Sequence, residues 1–215
     1  MKNSTRFYRH YKDKPYKFLG YARHSETLEE LALYETLYQN DLGKVWVRPK
    51  DMFFENVEIN GVVRPRFEKI NFEFRIEGTV DEKEIASVYF AAFGKPLDIE
   101  KFRAKLKTHS RVHCQIAFDG KTMIGFKIGY AQDDISFCSW LGAVRPDFQG
   151  LGVASELMSL QHAWCRQNGF KKIETRTHNE FTEMIRLNLK YGFLINGTQS
   201  YANESVKVIF EKKLI

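Results

Sequence analysis

The chain has 215 residues, 43% hydrophobic and 28% charged, with 33 lysines and arginines against 27 aspartates and glutamates for a formal charge of +6. That length holds one large core or two modest ones, and the composition is that of a soluble globular protein. No apolar run is long enough to cross a bilayer, residues 1 to 20 are too charged for a signal peptide, and Cys114, Cys138 and Cys165 lie far apart in apolar runs, so reduced thiols of a cytoplasmic protein are expected, with no metal site.

The positive surplus sits at the beginning. Over residues 1 to 23, Lys2, Arg6, Arg9, Lys12, Lys14, Lys17 and Arg23 face only Asp13. With Phe7, Tyr8, Tyr11, Tyr16, Phe18 and Tyr21 interleaved, they could track a nucleic acid by charge and stacking. A half-buried strand pair with a charged outer face is the plainer reading. Short β-prone pieces follow: 6–11, 16–23, 44–47, 53–59 and 62–67, separated by turn signals at Asp13-Lys14-Pro15, Asn40-Asp41-Leu42-Gly43 and Asn60-Gly61. Asn60-Gly61 is a two-residue hairpin signal. Residues 27 to 39 fit neither period cleanly and are assigned to strand. Residues 1–70 therefore read as a small, mostly-β, barrel-like domain. His24 and Glu26 are too thin a cluster for a metal and are expected to order a turn.

From Asn71 the texture changes. Phe72 to Ile76 alternates as a strand, and a helix then opens with Thr79 or Asp81 as its cap and stops at Gly94-Lys95-Pro96. A second helix spans 99–107. Strands 112–118, 123–130 and 135–144 follow, the first two joined by a hairpin at Asp119-Gly120. After Pro146 comes a glycine-punctuated turn, then a helix from about Gly152 to Asn168 closed by Gly169. Strand 173–177, helix 181–191 and strands 193–201 and 206–212 complete the order. Periodicity alone gives a mixed α/β or α+β domain.

The loop Val144 to Ala154 carries the chemistry. Gly150 and Gly152 let the backbone turn tightly and approach a ligand, and the free N–H groups of the new helix make an electropositive end suited to phosphate. Glycines opening a helix are often only a turn. Gln149-x-x-Gly152-x-Ala154, preceded by Val144-x-Pro146, resembles the acetyl-CoA pyrophosphate loop of the GNAT N-acetyltransferase superfamily. Thr177-His178-Asn179 and Met184-x-x-Leu187-Asn188-x-x-Tyr191-Gly192-Phe193 resemble the strand end, helix and Gly-Phe turn that flank the CoA thiol. The resemblance covers about residues 72 to 215.

It implies an α+β GNAT fold for residues 71–215, a mixed and mostly antiparallel sheet flanked by helices. It further implies that the strand before the loop and the strand ending near Asn179 splay apart around the pantetheine arm. Main chain of Leu141, Gly142, Ala143 and Val144 would pair with the arm, with Gly142 suited to a bulged approach. N–H groups of Gly150, Leu151, Gly152, Val153 and Ala154 beside Gln149 would hold the pyrophosphate, Asn179 would lie near the arm and Asn188 near the sulfur. The implied reaction is acetyl transfer from acetyl-CoA to a primary amine. Where many members place a Tyr acid stands Asn188, and where some place a Glu base stands Cys138. Glu174 occupies another position used for a base and is the candidate catalytic base, with a solvated strand carboxylate as the plain alternative. His178 and Tyr191 are further candidates.

The N-terminal segment resembles a small bacterial domain family without assigned activity, through Tyr8-Arg9-His10-Tyr11-Lys12, Ala22-Arg23-His24-Ser25-Glu26-Thr27-Leu28-Glu29, Trp46-Val47-Arg48-Pro49-x-x-Met52-Phe53 and Pro65-Arg66-Phe67. Two other functions stand beside the enzyme: a catalytically weak acyl-CoA-binding regulatory module, and a nucleic-acid or ribosome-associated adaptor using the basic start. Acceptor and oligomeric state are not encoded in any motif; the Asp133-Asp134 turn could attract a cationic amine, an exposed acidic turn being the plainer reading.

Overall fold

A computed structural model describes residues 7–38, 40–78, 81–201 and 205–214. Clustering of contacts divides the chain into two units, Met1–Phe72 with Gly150–Gly152, and Glu73–Gln149 with Val153–Ile215.

The N-terminal unit holds β1 (Phe7–His10), β2 (Pro15–Arg23), β3 (Glu30–Thr36), β4 (Val45–Pro49), α1 (Lys50–Phe54), β5 (Asn56–Ile59), β6 (Val62–Pro65) and β7 (Phe67–Lys69). Five of its strands form an antiparallel sheet in the order β4-β3-β2-β1-β7, and β5 and β6 form a separate hairpin. Asn60 (φ 53°) and Gly61 (φ 77°) are both left-handed between Ile59 and Val62, the two-residue turn that matches strand twist. Two expected strands are corrected. Phe53 lies on α1 and not on a strand, and the run 62–67 breaks at Arg66 into β6 and β7 of different sheets. The cause is one aromatic cluster: Phe53 is fully buried and stacks on Phe67 with ring centroids 4.1 Å apart and planes 7° apart. Turning the chain into a short helix after Pro49 delivers Phe53 to that ring, and breaking the strand puts Phe67 opposite His10. Phe18, Ala32 and Tyr34 complete the core. His24 orders its turn as expected: its Nδ1 accepts from the N–H groups of Glu26 and Thr27, both at 3.2 Å.

The second unit runs β8 (Glu73–Glu77), α2 (Glu82–Phe93), α3 (Ile99–Thr108), β9 (His113–Asp119), β10 (Thr122–Ala131), β11 (Ser136–Val144), a 3-10 turn at Pro146–Phe148, α4 (Val153–Gln167), β12 (Lys172–His178), α5 (Thr182–Lys190), β13 (Leu194–Ser200) and β14 (Val206–Lys213). Its seven-stranded sheet has the order β13-β14-β12-β11-β10-β9-β8, with β11–β12 parallel and the other pairs antiparallel. This is the mixed, mostly antiparallel sheet expected. Asp81 caps α2 by accepting from Lys83 and Glu84 N–H, and Gly94 closes it in the left-handed conformation; Thr79, the other expected cap, lies outside the described residues. The β9–β10 turn falls one residue later than expected, at Gly120-Lys121, because Asp119 pairs with Thr122. One face of the sheet packs Ile116, Phe126, Ile128 and Ala143 against Ile85 and Val88 of α2 and Phe102 of α3. The other packs Phe137, Ile173 and Phe210 against Met158 and Cys165 of α4. Among the described residues no helix is long and apolar enough to cross a membrane.

Candidate functional site

The parallel pair β11–β12 organises this region. Its register runs Ser136↔Lys172 to Ser139↔Thr175 and stops there. Thr175 Oγ1 donates to the Ser139 carbonyl at 2.8 Å, closing the last rung. Beyond it β12 continues to His178 paired only with β14, while Leu141, Gly142, Ala143 and Val144 pair only with β10. One edge of β11 is therefore turned to the gap, and its N–H and C=O groups are those that an extended ligand with amides would meet. The register shift that opens the gap is at Trp140: Leu141 faces Ile128 and Ser139 faces Gly129, so Trp140 is the extra residue. Gly142, expected at the bulge, pairs regularly with Lys127. The bulge precedes it because Trp140, which stacks on Phe102 of α3 (5.7 Å), and Leu141 both pack on the α2–α3 face, whereas a regular strand would send two consecutive residues to opposite faces.

At the end of β11 the chain turns through Arg145, whose guanidinium holds the Met123 carbonyl (2.8 Å) and Ser87 Oγ (2.9 Å). Gln149 Nε2 reaches back to the Val144 carbonyl at 3.1 Å, fastening both ends of the loop. Gly150 (φ 77°) and Gly152 (φ 80°) then take left-handed conformations that a Cβ would strain. Leu151 and Val153 are buried and anchor the turn. The N–H groups of Gly150 to Ala154 have no hydrogen-bond partner among the described residues, and Val153 and Ala154 begin α4. N–H groups without a partner among the described residues thus gather at the electropositive end of a 15-residue helix.

Glu174 is the β11-facing neighbour of Cys138, and Cys138 faces Tyr130 on β10. These three share the sheet face opposite α4. Glu174 is ion-paired to Arg176 at 3.0 Å and its side chain is 20% exposed. The Tyr130 hydroxyl bonds the Cys138 thiol, and burial raises the proton affinity of both groups. Burial likewise pushes the Cys114 and Cys165 thiols up to about 12, so these free cysteines are protonated core residues, as expected. Asn188 lies on the other side. It is buried on α5, and its Nδ2 donates to Thr177 Oγ1 at 3.1 Å, on the face of β12 that alternates away from Glu174. Glu174 and Asn188 thus flank the strand gap from opposite faces and do not touch. Asn179 is exposed just past the end of β12, tied by its N–H to the Val206 carbonyl. His178 is half-buried near Phe181 (6.1 Å), and burial lowers its pKa. Tyr191 packs in the core and accepts from Ser159 Oγ at 3.4 Å. Asp133 caps its own turn, accepting from Ile135 (2.9 Å) and Ser136 (2.7 Å) N–H.

Two features escaped sequence reasoning. Tyr130 ends up beside Cys138 and Glu174 only through cross-strand register. Between the sheet and α4, Ser139, Gln161 and His162 carry buried polar atoms without a partner among the described residues, and Lys127 is buried with its pKa lowered to about 8 by desolvation. Their helical and strand periods read as ordinary core positions. An open depression of about 550 Å³ lined by Ile135, Lys171, Lys172, Glu211, Lys213 and Leu214 lies at the opposite end of β11 and β12 from the gap.

Residues 82–193 match the family described as acetyltransferase (GNAT). The chain belongs to the GNAT family. Residues 6–69 match a family described as protein of unknown function (DUF1653). No curated protein matches the chain. Among solved structures, this GNAT chain is similar to Ard1 from Thermoplasma volcanium (21% identity, TM-score 0.55, 66% of this chain and 98% of that one). It is similar to the ribosomal-protein-S18-alanine N-acetyltransferase of Escherichia coli (15%, 0.56, 66% and 94%) and to a GNAT acetyltransferase from Elizabethkingia anophelis with acetyl-CoA bound (18%, 0.55, 67% and 99%). At these identities the structures share the GNAT fold with this chain.

Proposed function

We propose that residues 71–215 form an acetyl-CoA-dependent N-acetyltransferase domain and residues 1–70 a separate small domain. The observation that carries the reading is the separation of β11 from β12 after Ser139 and Thr175, continuous with a loop of unpaired N–H groups at the start of α4. The gap suits the amide-bearing pantetheine arm, lying along Leu141 to Val144, and the residues Gln149 to Ala154 suit the pyrophosphate. The acetyl-CoA-bound relative supports the same cofactor here.

A primary amine acceptor, deprotonated first, attacks the thioester carbonyl carbon. The oxyanion that forms accepts from main-chain N–H groups of β11, the C–S bond breaks, and the CoA thiolate leaves. Glu174 takes the ammonium proton, directly or through water, with Arg176 holding the carboxylate in place. Asn188 positions β12 through Thr177 and supplies no proton; a thiolate leaves readily near neutral pH, so the reaction does not require an acid there.

The test is calorimetric titration of acetyl-CoA into the full-length chain and into residues 71–215, followed by thiol release over an amine panel. Micromolar binding to both and turnover with at least one amine are expected. Absence of binding to either removes the reading; binding without turnover on any amine favours the weakly catalytic acyl-CoA-binding module, for which the lack of a proton donor at Asn188 speaks.

A further inference from the structure

Arg48 stands on β4 directly across from the fully buried Ala32 of β3, so its side chain shares the aromatic face of the N-terminal sheet. There its Nε is buried without a hydrogen-bond partner, and the guanidinium forms no ion pair with any described residue. Buried donors are nearly always satisfied, so an unpaired guanidinium N–H asks for an explanation. Within the same unit Glu55 is bound by Arg66, and Asp13 by Arg9 at 2.8 Å.

The surroundings are built from donors around one ring. From the centroid of Phe67, the Arg48 guanidinium carbon lies at 5.9 Å, the His10 ring at 4.7 Å, and the Tyr16 and Tyr34 rings at 5.4 Å each. His10 Nδ1 accepts from the Lys12 N–H at 3.3 Å, which puts the proton of the neutral ring on Nε2. The ring stays neutral because burial and the charges of Arg48, Arg66 and Lys12 lower its pKa to about 4. The Tyr16 and Tyr38 hydroxyls bond each other at 2.7 Å. Three cations, Arg48, Arg66 and Lys12, therefore act on His10.

We propose that this basin, Arg48 with His10, Tyr16 and Tyr34 around Phe67, binds the phosphate group of a ligand. The planar guanidinium fork matches two oxygens of a tetrahedral anion, His10 Nε2 and the tyrosine hydroxyls supply further donors, and the flanking charge of Lys12 favours a dianion over a carboxylate. The aromatic surround receives what the phosphate is attached to. This site lies wholly in the N-terminal unit and does not depend on acetyl transfer.

The experiment titrates the full-length protein at constant ionic strength with inorganic phosphate, adenosine monophosphate and, as the carboxylate control, acetate. The ring resonances of His10 are read by NMR, so that anions bound at residues 149–154 are not counted. A saturable shift with phosphate or the monophosphate is expected, weakened at least tenfold in Arg48→Gln and less in Arg48→Lys. Tighter binding of the monophosphate assigns the ligand to phosphate esters, and equal binding to the free ion. No saturable shift with either, acetate binding as tightly, or an unchanged affinity in folded Arg48→Gln overturns the proposal. If Arg48→Gln does not fold, Tyr16→Phe decides: an affinity at least threefold weaker supports the site, and an unchanged one overturns it.

Discussion

A carboxylate on a strand becomes a base only through its neighbours, and Glu174, the proposed base, has three: Arg176 beside it, Cys138 across from it and, one strand further, Tyr130. Glu174→Gln keeps the shape and removes the proton acceptor. It is expected to lower kcat/KM about 100-fold or more while leaving the calorimetric Kd for acetyl-CoA unchanged. Gly150→Ala does the reverse: with φ at 77° the new Cβ costs about 1 kcal/mol and moves the N–H groups of the loop, so Kd should rise severalfold or more. Asn188 is a third case. Asn188→Ala leaves the buried Thr177 hydroxyl without its partner, and chemical denaturation should show a loss of about 1–3 kcal/mol.

At the scale of elements, α1 is only five residues long and has no side-chain cap, so nothing local holds it. Its helical turn persists because Phe53 is packed among Tyr8, Phe18, Tyr34 and Phe67 with centroids 4.1 to 5.7 Å away. Phe53→Ala should therefore cost about 3–5 kcal/mol and melt the N-terminal unit's core, measured by the loss of its near-ultraviolet aromatic signal in denaturant. By contrast α2 and α3 carry their own start signals: Asp81 accepts from Lys83 and Glu84, and Asp98 from Lys101 at 3.0 Å. β11 draws its function from interruption, since a regular strand paired along its whole length with β12 would leave no edge for a ligand.

At the scale of the molecule, one core cluster of the N-terminal unit is centred on Phe53 and Phe67, and two of the second unit lie on the two faces of the seven-stranded sheet. The second unit carries a pH liability. His113 and His162 are buried, and burial lowers their pKa values to about 4 and about 3, with Lys212 adding to the effect on His162. In the unfolded chain both titrate near 6.5, so between that value and the folded pKa the unfolded state binds more protons. Stability is then full above pH 6.5 and falls with decreasing pH by about 1.4 kcal/mol per histidine per unit. Denaturation midpoints measured at pH 7.5 and pH 5 should differ accordingly for the transition of this unit.

The sequence by itself determined the order of elements from β8 to β14, because their periods, caps and glycine stops are local: Asp81 and Gly94 bound α2, and Gly169 with φ 83° ends α4. It also determined the family and the loop from Gln149 to Ala154, whose geometry is set by Gly150 and Gly152 within a few bonds. Tertiary structure alone decided what depends on partners distant in the chain. Residue 53 left its strand pattern for a helix, and the strand broke before residue 67, because stacking two buried rings outweighs the propensity of either segment. The bulge fell on Trp140 and not Gly142 because two consecutive residues, Trp140 and Leu141, pack on the same face. Which polar groups meet, Glu174 with Cys138 and Tyr130, Asn188 with Thr177, and Arg48 with no acid among the described residues, follows from strand register and helix packing, and a one-residue strand slip would exchange the faces involved.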